Sequence, residues 1–283
     1  MILFPHSQND VGLGGEHSGR EPGSRLMGKV YLVGAGPGDP ELLTVKAARL
    51  LAGADIVLHD SLVSREVLAL ISPKAEIIDV GKRAGKKLLT QDEINSLLVS
   101  YAETREKIVR LKGGDPSVFG RAGEEIEALR CAGVPYEIVP GITAALGAAA
   151  AAGISLTDRR VASQIVLSTF SRGSDAGAMD WGCIGSTTTL VLYMPGADYT
   201  EVADRLRDGG LPADLPCVIV SGASGPQQEI RWSNVARLAK EEKLPAPALL
   251  IVGRVASRDV AEIGPSYWSG EKVDQVLPRD RVV

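Results

Sequence analysis

From Lys29 onward, short apolar runs alternate with amphipathic stretches, the pattern of an α/β protein with largely parallel strands. In the first half the apolar runs predict strands near residues 30–33, 56–58, 76–80, 108–112 and 136–139. In the second half they predict strands near 164–168, 188–193, 217–221, 229–232 and 249–252. Helices fit between them. One is expected to begin at Asp39-Pro40, where Asp caps free N–H groups and Pro suits the first helical position. Another begins at Thr90, with Glu93 placed to complete a capping box. Further helical stretches are 124–131, a small-residue segment from Thr143 to Ile154, 198–208, and 234–242 behind a Ser233 cap. Pro140-Gly141 interrupts the pattern. The expected organisation is therefore an N-terminal α/β domain over 28–141 and a C-terminal α/β domain over 142–258, with a ligand cleft between them. Residues 1–27 read as a disordered arm, with Met27 an alternative start, and 259–283 as a tail without strong pattern.

Charge and cysteine usage narrow the function classes. The formal net charge of −4 lacks the general basicity of a nucleic-acid binder. Cys131, Cys183 and Cys217 are far apart and odd in number, with no metal-ligand or CxxC spacing. They read as buried free thiols in a reducing compartment, with no metal site. No apolar stretch is long enough to span a bilayer, and residues 1–26 lack the basic start and apolar middle of a secretory signal. A cytoplasmic protein, without membrane or nucleic-acid partners, is the expectation.

Two glycine loops carry the candidate chemistry. The first, Gly34-Ala35-Gly36-Pro37-Gly38-Asp39-Pro40, joins a strand to a helix, and Asp60 ends the next strand. That arrangement suggests a dinucleotide site, in which helix N-terminal N–H groups hold phosphate. The spacing opposes it: Asp39 occupies the third glycine position and would face the pyrophosphate, while Pro37 removes an N–H. A bare corner-forming turn is the alternative. The second loop runs from Arg110-Leu111-Lys112 through Gly113-Gly114-Asp115-Pro116. Paired glycines allow close backbone approach to a ligand, and Asp115, held out of helix by Pro116, can offer a carboxylate to a ribose or a cationic group. An adenosyl ligand fits such loops, although these residues alone do not name one.

Together with Leu43-Thr44 and Pro140-Gly141-Ile142-Thr143-Ala144, the two loops resemble the motif series of the tetrapyrrole methylase family, from about Gly28 to about Ser257. The resemblance implies a fold of two α/β domains, usually dimerised with a second copy, and S-adenosylmethionine as methyl donor in the cleft. It implies donor contacts at Pro37, Gly113, Gly114, Asp115, Val118, Thr143, Ala144, Met194 and Ala223. Leu58-His59-Asp60-Ser61-Leu62-Val63-Ser64 has an acid where precorrin-4 methylases tend to carry Ala-Gly. Three segments are similar to the branch that methylates uroporphyrinogen III: Gly81-Lys82-Arg83-Ala84-Gly85, Phe119-Gly120-Arg121-Ala122-Gly123-Glu124-Glu125, and Arg110-Leu111-Lys112 before the glycine pair. That branch transfers methyl groups to carbons 2 and 7, giving precorrin-2 for sirohaem or cobalamin synthesis.

The same resemblance implies that Asp60 accepts a proton and that Lys82 donates one or anchors a carboxylate, with Arg121 a rival for proton handling. It sets Arg83, Lys112, Glu124 and Arg159 at the substrate. A ring bearing eight carboxylates suits the positive charge of Lys82, Arg83, Lys86, Lys87, Lys112 and Arg121. Plainer readings stand beside these: a solvated loop for Lys86-Lys87 and a helical ion pair for Arg121 and Glu124. The chain also departs from the family pattern. Asp158 and Ser171 stand where histidines are common, leaving His59 the one histidine outside the arm. His59 adjoins Asp60 on a strand, so its side chain is expected on the opposite face, in a structural role. The NAD-binding module of bifunctional relatives has no room here, so the chain is expected to stop at precorrin-2. Other readings are a methylase of another corrinoid precursor, a non-catalytic donor- or tetrapyrrole-binding paralogue and, weakest, a nicotinamide-dependent dehydrogenase.

Overall fold

The structure, a computed structural model, describes residues 27–81, 89–170, 181–196 and 198–257. Among the described residues, ten strands form two five-stranded sheets. The first contains β1 (Lys29–Gly34), β2 (Ile56–His59), β3 (Glu76–Asp79), β4 (Lys107–Lys112) and β5 (Tyr136–Val139), in the order β3-β2-β4-β1-β5. Every pairing in it is parallel. Val30, Leu32 and Val33 of β1, and Ile108, Val109 and Leu111 of β4, are wholly buried, as central parallel strands covered on both faces must be. Because the strands run one way, their carboxyl ends share one edge of the sheet, the edge at which open α/β sheets bind ligands.

The helices of this half are α1 (Val45–Ala52), α2 (Arg65–Leu68), α3 (Gln91–Ala102) and α4 (Ala122–Cys131). The capping box at α3 forms as expected: Glu93 N–H donates to Thr90 Oγ1 at 3.2 Å, and Thr90 N–H to Glu93 Oε2 at 2.7 Å. The helix expected from Asp39 is instead a single 3₁₀ turn, Pro40–Leu42. Leu43 returns to extended backbone, and Thr44 then caps α1 by accepting from Ala47 N–H at 3.2 Å. Two capping residues so close together divide the segment. α2 was not anticipated; Ser64 caps it by accepting from Val67 N–H at 3.2 Å.

The second sheet holds β6 (Gln164–Thr169), β7 (Thr188–Tyr193), β8 (Pro216–Ser221), β9 (Glu229–Asn234) and β10 (Ala248–Val252), in the order β6-β7-β10-β8-β9. Only β6 and β7 pair parallel; the other pairings are antiparallel, against the expectation of largely parallel strands. The connection from β8 to β9 spans residues 222–228, too short for the crossover that a parallel pair requires. The helices here are α5 (Ala144–Ala152), α6 (Tyr199–Asp208) and α7 (Val235–Leu238). The last is much shorter than 234–242, and its cap is Asn234, which accepts from Arg237 N–H at 2.9 Å. Ser233 belongs to β9 and donates to Glu241 at 2.7 Å. Among the described residues, no helix is long and apolar enough to cross a membrane.

The two halves meet at the carboxyl edge of the first sheet. A Cβ on Gly34 would lie 2.6 Å from both the Gly114 carbonyl oxygen and the Gly141 nitrogen. Only glycine permits such an approach of three backbone segments. Next to them, α5 packs with Gly147 against Pro37, where an added Cβ would come within 2.7 Å of the ring.

Candidate active site

The two glycine loops are joined to each other before any ligand is considered. Gly36 N–H donates to the Gly114 carbonyl at 3.1 Å, and Gly114 N–H donates to the Gly36 carbonyl at 2.8 Å. Asp115 extends the join. Its Oδ1 accepts from Ser117 N–H at 2.8 Å and its Oδ2 from Gly141 N–H at 2.9 Å. The carboxylate foreseen for a ribose or cation thus also ties the second loop to the crossing into the other half. A carboxylate has about four lone-pair sites, so acceptor capacity remains. Val118 N–H donates to the Asp115 carbonyl at 3.2 Å, closing the turn.

On the other side, Thr143 Oγ1 lies 2.6 Å from the Tyr193 hydroxyl, which also accepts from Ala145 N–H at 3.1 Å. The Tyr193 ring packs on Phe119, with centroids 4.8 Å apart and planes inclined at 54°. Met194 follows Tyr193 and is half exposed. Ala223 and Ser224 face Gly38, where an added Cβ would lie 3.7 Å and 3.9 Å from their carbonyl oxygens. Pro37, Gly113, Gly114, Asp115, Val118, Thr143, Ala144, Met194 and Ala223 are thereby drawn into one contiguous junction. Phe119, Arg121, Met194 and Ser224 all hold left-handed backbone there, at φ 52°, 54°, 49° and 63°, and are the non-glycine residues that do so among those described. Such conformations cost free energy and concentrate at ligand sites.

Asp60 opens onto the same edge. Its segment is fixed by Ser64 Oγ, which donates to the Gly38 carbonyl at 2.6 Å, and by Leu62, which lies beside Gly113. His59 is buried, and its Nδ1 sits 3.0 Å from the Asp60 carbonyl oxygen, which fits the expected structural role. Behind Asp60 is a buried charge cluster. Arg110 and Lys112 alternate along β4 and so share a face. Arg110 Nη2 donates to Asp60 Oδ1 at 2.5 Å and its Nε to Glu125 Oε1 at 2.9 Å. Lys112 Nζ donates to both Glu125 oxygens, at 2.9 and 3.0 Å. Burial works against the Arg110 charge, but the Asp60 and Glu125 carboxylates outweigh it and raise its pKa. For Lys112, burial and then the neighbouring Arg110 prevail and lower it.

Residues 29–239 match the sequence pattern that defines the Tetrapyrrole (Corrin/Porphyrin) Methylases. The chain belongs to this family. It is 48% identical over 240 residues to a uroporphyrinogen-III C-methyltransferase of Paracoccus denitrificans, covering 83% of this chain and 84% of that one. It is 44% identical over 256 residues to a siroheme synthase of Actinobacillus pleuropneumoniae, covering 89% of this chain but only 51% of the relative, so it spans about half the length of that protein. Among solved structures it is similar to the uroporphyrin-III C-methyl transferase of Thermus thermophilus complexed with S-adenyl homocysteine, with TM-score 0.70 and 41% identity over 81% of this chain and 98% of that one.

Within this tetrapyrrole methylase, the residues assigned to the substrate by resemblance are less uniformly placed. Lys112, expected to meet the substrate, instead ends on Glu125 in the interior, because a cation on a central strand must find a buried partner. Arg121 and Glu124 form the plain helical ion pair, Nε to Oε1 at 2.7 Å and Nη2 to Oε2 at 2.6 Å, with both side chains about half exposed. That contact raises the Arg121 pKa and lowers that of Glu124. Arg159 is exposed. Its neighbour Asp158 is committed to a turn: it pairs with the Arg160 guanidinium at 2.6 Å and accepts from the Arg160 N–H at 3.0 Å, which together bring its pKa down to about 2. Lys82, Arg83, Lys86, Lys87 and Ser171 lie outside the described residues.

Arg110, Glu125 and Tyr193 had not been singled out for the site. Arg110 had a signal, since it alternates with Lys112 in an otherwise apolar strand and so demands a buried partner, the part that Glu125 of α4 plays. Tyr193 had none beyond its place before Met194. A cavity of about 600 Å³ opens at the opposite end of the first sheet, lined by Asp55, Ser72, Lys74, Glu76 and Arg105 among others. Arg105 and Glu76 pair there at 2.9 Å, Asp55 accepts from the Glu106 and Lys107 N–H groups, and neither of the two glycine loops lines it.

Proposed function

We propose that the chain is an S-adenosylmethionine-dependent C-methyltransferase that converts uroporphyrinogen III to precorrin-2 by methylation at carbons 2 and 7. The observation that carries this reading is the shared edge: the Asp60 carboxylate, gripped by Arg110, opens beside the glycine junction. The names of the P. denitrificans and T. thermophilus relatives support the substrate, and the S-adenyl homocysteine complex supports the donor.

The junction suits an adenosyl donor. Its backbone is bared by Gly38, Gly113 and Gly114, it offers Asp115 as an acceptor, and Phe119 and Met194 supply exposed apolar surface. When bound, the donor supplies an electrophilic methyl group. Residues Pro37, Gly113, Gly114, Asp115, Val118, Thr143, Ala144, Met194 and Ala223 hold it, and the two halves, 28–141 and 142–258, align it with the pyrrole carbon. Alignment of two reactants contributes up to roughly 7–11 kcal/mol to such reactions. Asp60 accepts the proton that leaves the macrocycle, and Lys82 donates a proton or anchors a carboxylate. Arg83, Arg121 and Arg159 meet the substrate's carboxylates, while Glu124 orients Arg121. Lys112 is withdrawn from that set, since Glu125 occupies its ammonium.

The active form is a homodimer in the cytoplasm. Exposed Ile165 and Leu167 on edge strand β6 support association, and free Cys131 and Cys217 support a reducing compartment. Anaerobic incubation of uroporphyrinogen III with methyl-labelled donor, with products identified by mass, tests the reaction. Two methyl groups should transfer in succession; no transfer, where a control methylase works, overturns the proposal.

A further inference from the structure

Glu125 stands apart in the charge cluster. It sits in the first turn of α4 with 0% of its side chain exposed, so it touches no substrate. It nevertheless receives Arg110 at 2.9 Å, Lys112 at 2.9 and 3.0 Å and Gln91 Nε2 of α3 at 3.3 Å. Stability alone is a weak rationale for this arrangement, because apolar residues of similar volume commonly replace a buried ion pair without loss. Its geometric effect is specific. The guanidinium of Arg110 is a planar fork with fixed donor directions. Here Nε goes to Glu125, Nη2 to Asp60, and Nη1 to the Leu58 and Leu111 carbonyls at 3.4 and 3.2 Å. With these contacts made, the fork has no free rotation, and one orientation of Asp60 Oδ1 is selected. Of the four charged groups, Asp60 alone reaches solvent, at 29% exposure against 3% for Arg110 and Lys112.

We infer that Glu125 is a positioning residue: acting through Arg110, it aims the Asp60 carboxylate for the methyl transfer proposed above, a reading on which this inference rests. Lys112 and Gln91 hold Glu125 in turn, so the orientation of Asp60 is set from two helices that lie behind the sheet edge.

A double-mutant cycle in the full chain tests this, using single-turnover transfer of labelled methyl to uroporphyrinogen III and calorimetric affinity for S-adenosylhomocysteine. Glu125→Gln should slow transfer by up to about 100-fold, the scale of a misaligned catalytic group, with donor affinity kept within about threefold. In an Asp60→Asn background the same change should slow transfer less than about threefold, because residues acting as a unit are non-additive. A merely structural role would give multiplying losses and overturn the inference. Because Glu125→Gln leaves two cations against one carboxylate, Lys112→Met with Glu125→Gln supplies a charge-balanced variant. It should show the same slow transfer, and full activity in it would equally overturn the inference. An inactive wild-type chain would overturn the proposed function itself, whereas an active wild type with multiplying losses would overturn the role of Glu125 alone.

Discussion

The Tyr193 hydroxyl, at the end of β7, lies 2.6 Å from Thr143 Oγ1, at the start of α5. Thr143 makes no side-chain cap of its own, so the hydroxyl of Tyr193 takes over by accepting from Ala145 N–H. A residue of the second sheet thereby fixes the backbone of Thr143 and Ala144, where the donor is proposed to sit. Tyr193→Phe keeps the packing on Phe119 but strands the buried Ala145 N–H, at a cost of about 1–3 kcal/mol. Urea denaturation should register that loss, and S-adenosylhomocysteine affinity should fall with it. Unchanged stability and affinity would show that the contact holds nothing in place.

Lys112→Met separates the interior reading of Lys112 from the substrate reading. Removing one partner from a buried ion cluster costs about 3–5 kcal/mol, so the variant should melt at markedly lower denaturant. Its KM for uroporphyrinogen III should nonetheless stay within about twofold of wild type, since uniform substrate binding is what a lost contact would remove. A raised KM with unchanged stability would return Lys112 to the substrate.

Gly141→Ala tests the packing at the junction. The added Cβ would lie 2.3 Å from the Gly114 carbonyl oxygen and 2.8 Å from Gly34 Cα, both backbone atoms that yield little. Overpacking of this kind costs about 1–3 kcal/mol. The shift also moves Gly114, so donor affinity should drop in parallel. A variant as stable and as tightly donor-binding as wild type would mean that the segments do not touch.

Cys217 gives a pH signature. Burial, with the Glu241 charge adding to it, pushes its thiol from 9.0 up to about 12. The unfolded chain releases this proton near the ordinary value and the folded chain does not. The resulting stability is complete below about pH 8.5 and is lost as pH rises toward 12. Denaturation midpoints between pH 8 and 10.5 should therefore fall more steeply for wild type than for Cys217→Ala. Parallel slopes would show that the thiol ionises in the folded state. Cys131, near the end of α4, is exposed where a buried thiol was expected, so a thiol reagent should label it in the native chain and leave buried Cys217 unmodified.

Much of this architecture was legible in the residues. The apolar runs located the ten strands of the described residues: the central ones are short buried runs, and β3, β6 and β9, at the sheet edges, keep apolar residues although they are only partly buried. The glycine loops marked the junction, because only glycine admits backbone at such separations. Strand direction in the second sheet was not legible, since an apolar run carries no sign; the short 222–228 connection was the available cue. The Asp39 helix failed through competition with Thr44, a second cap in the same segment. At the site, the place of Asp60 and of the glycine loops at one sheet edge was within reach, whereas the Glu125–Arg110–Asp60 contacts were not. Those contacts depend on which faces of α4 and β4 meet, a tertiary fact.

A crystal of the chain grown with S-adenosylhomocysteine tests the donor site most directly. The nucleoside should lie between the Gly113-Gly114-Asp115 loop and Thr143-Ala144, with the sulfur directed toward the edge that bears Asp60. A nucleoside bound away from these loops, for example in the cavity beside Lys74 and Arg105, would contradict it.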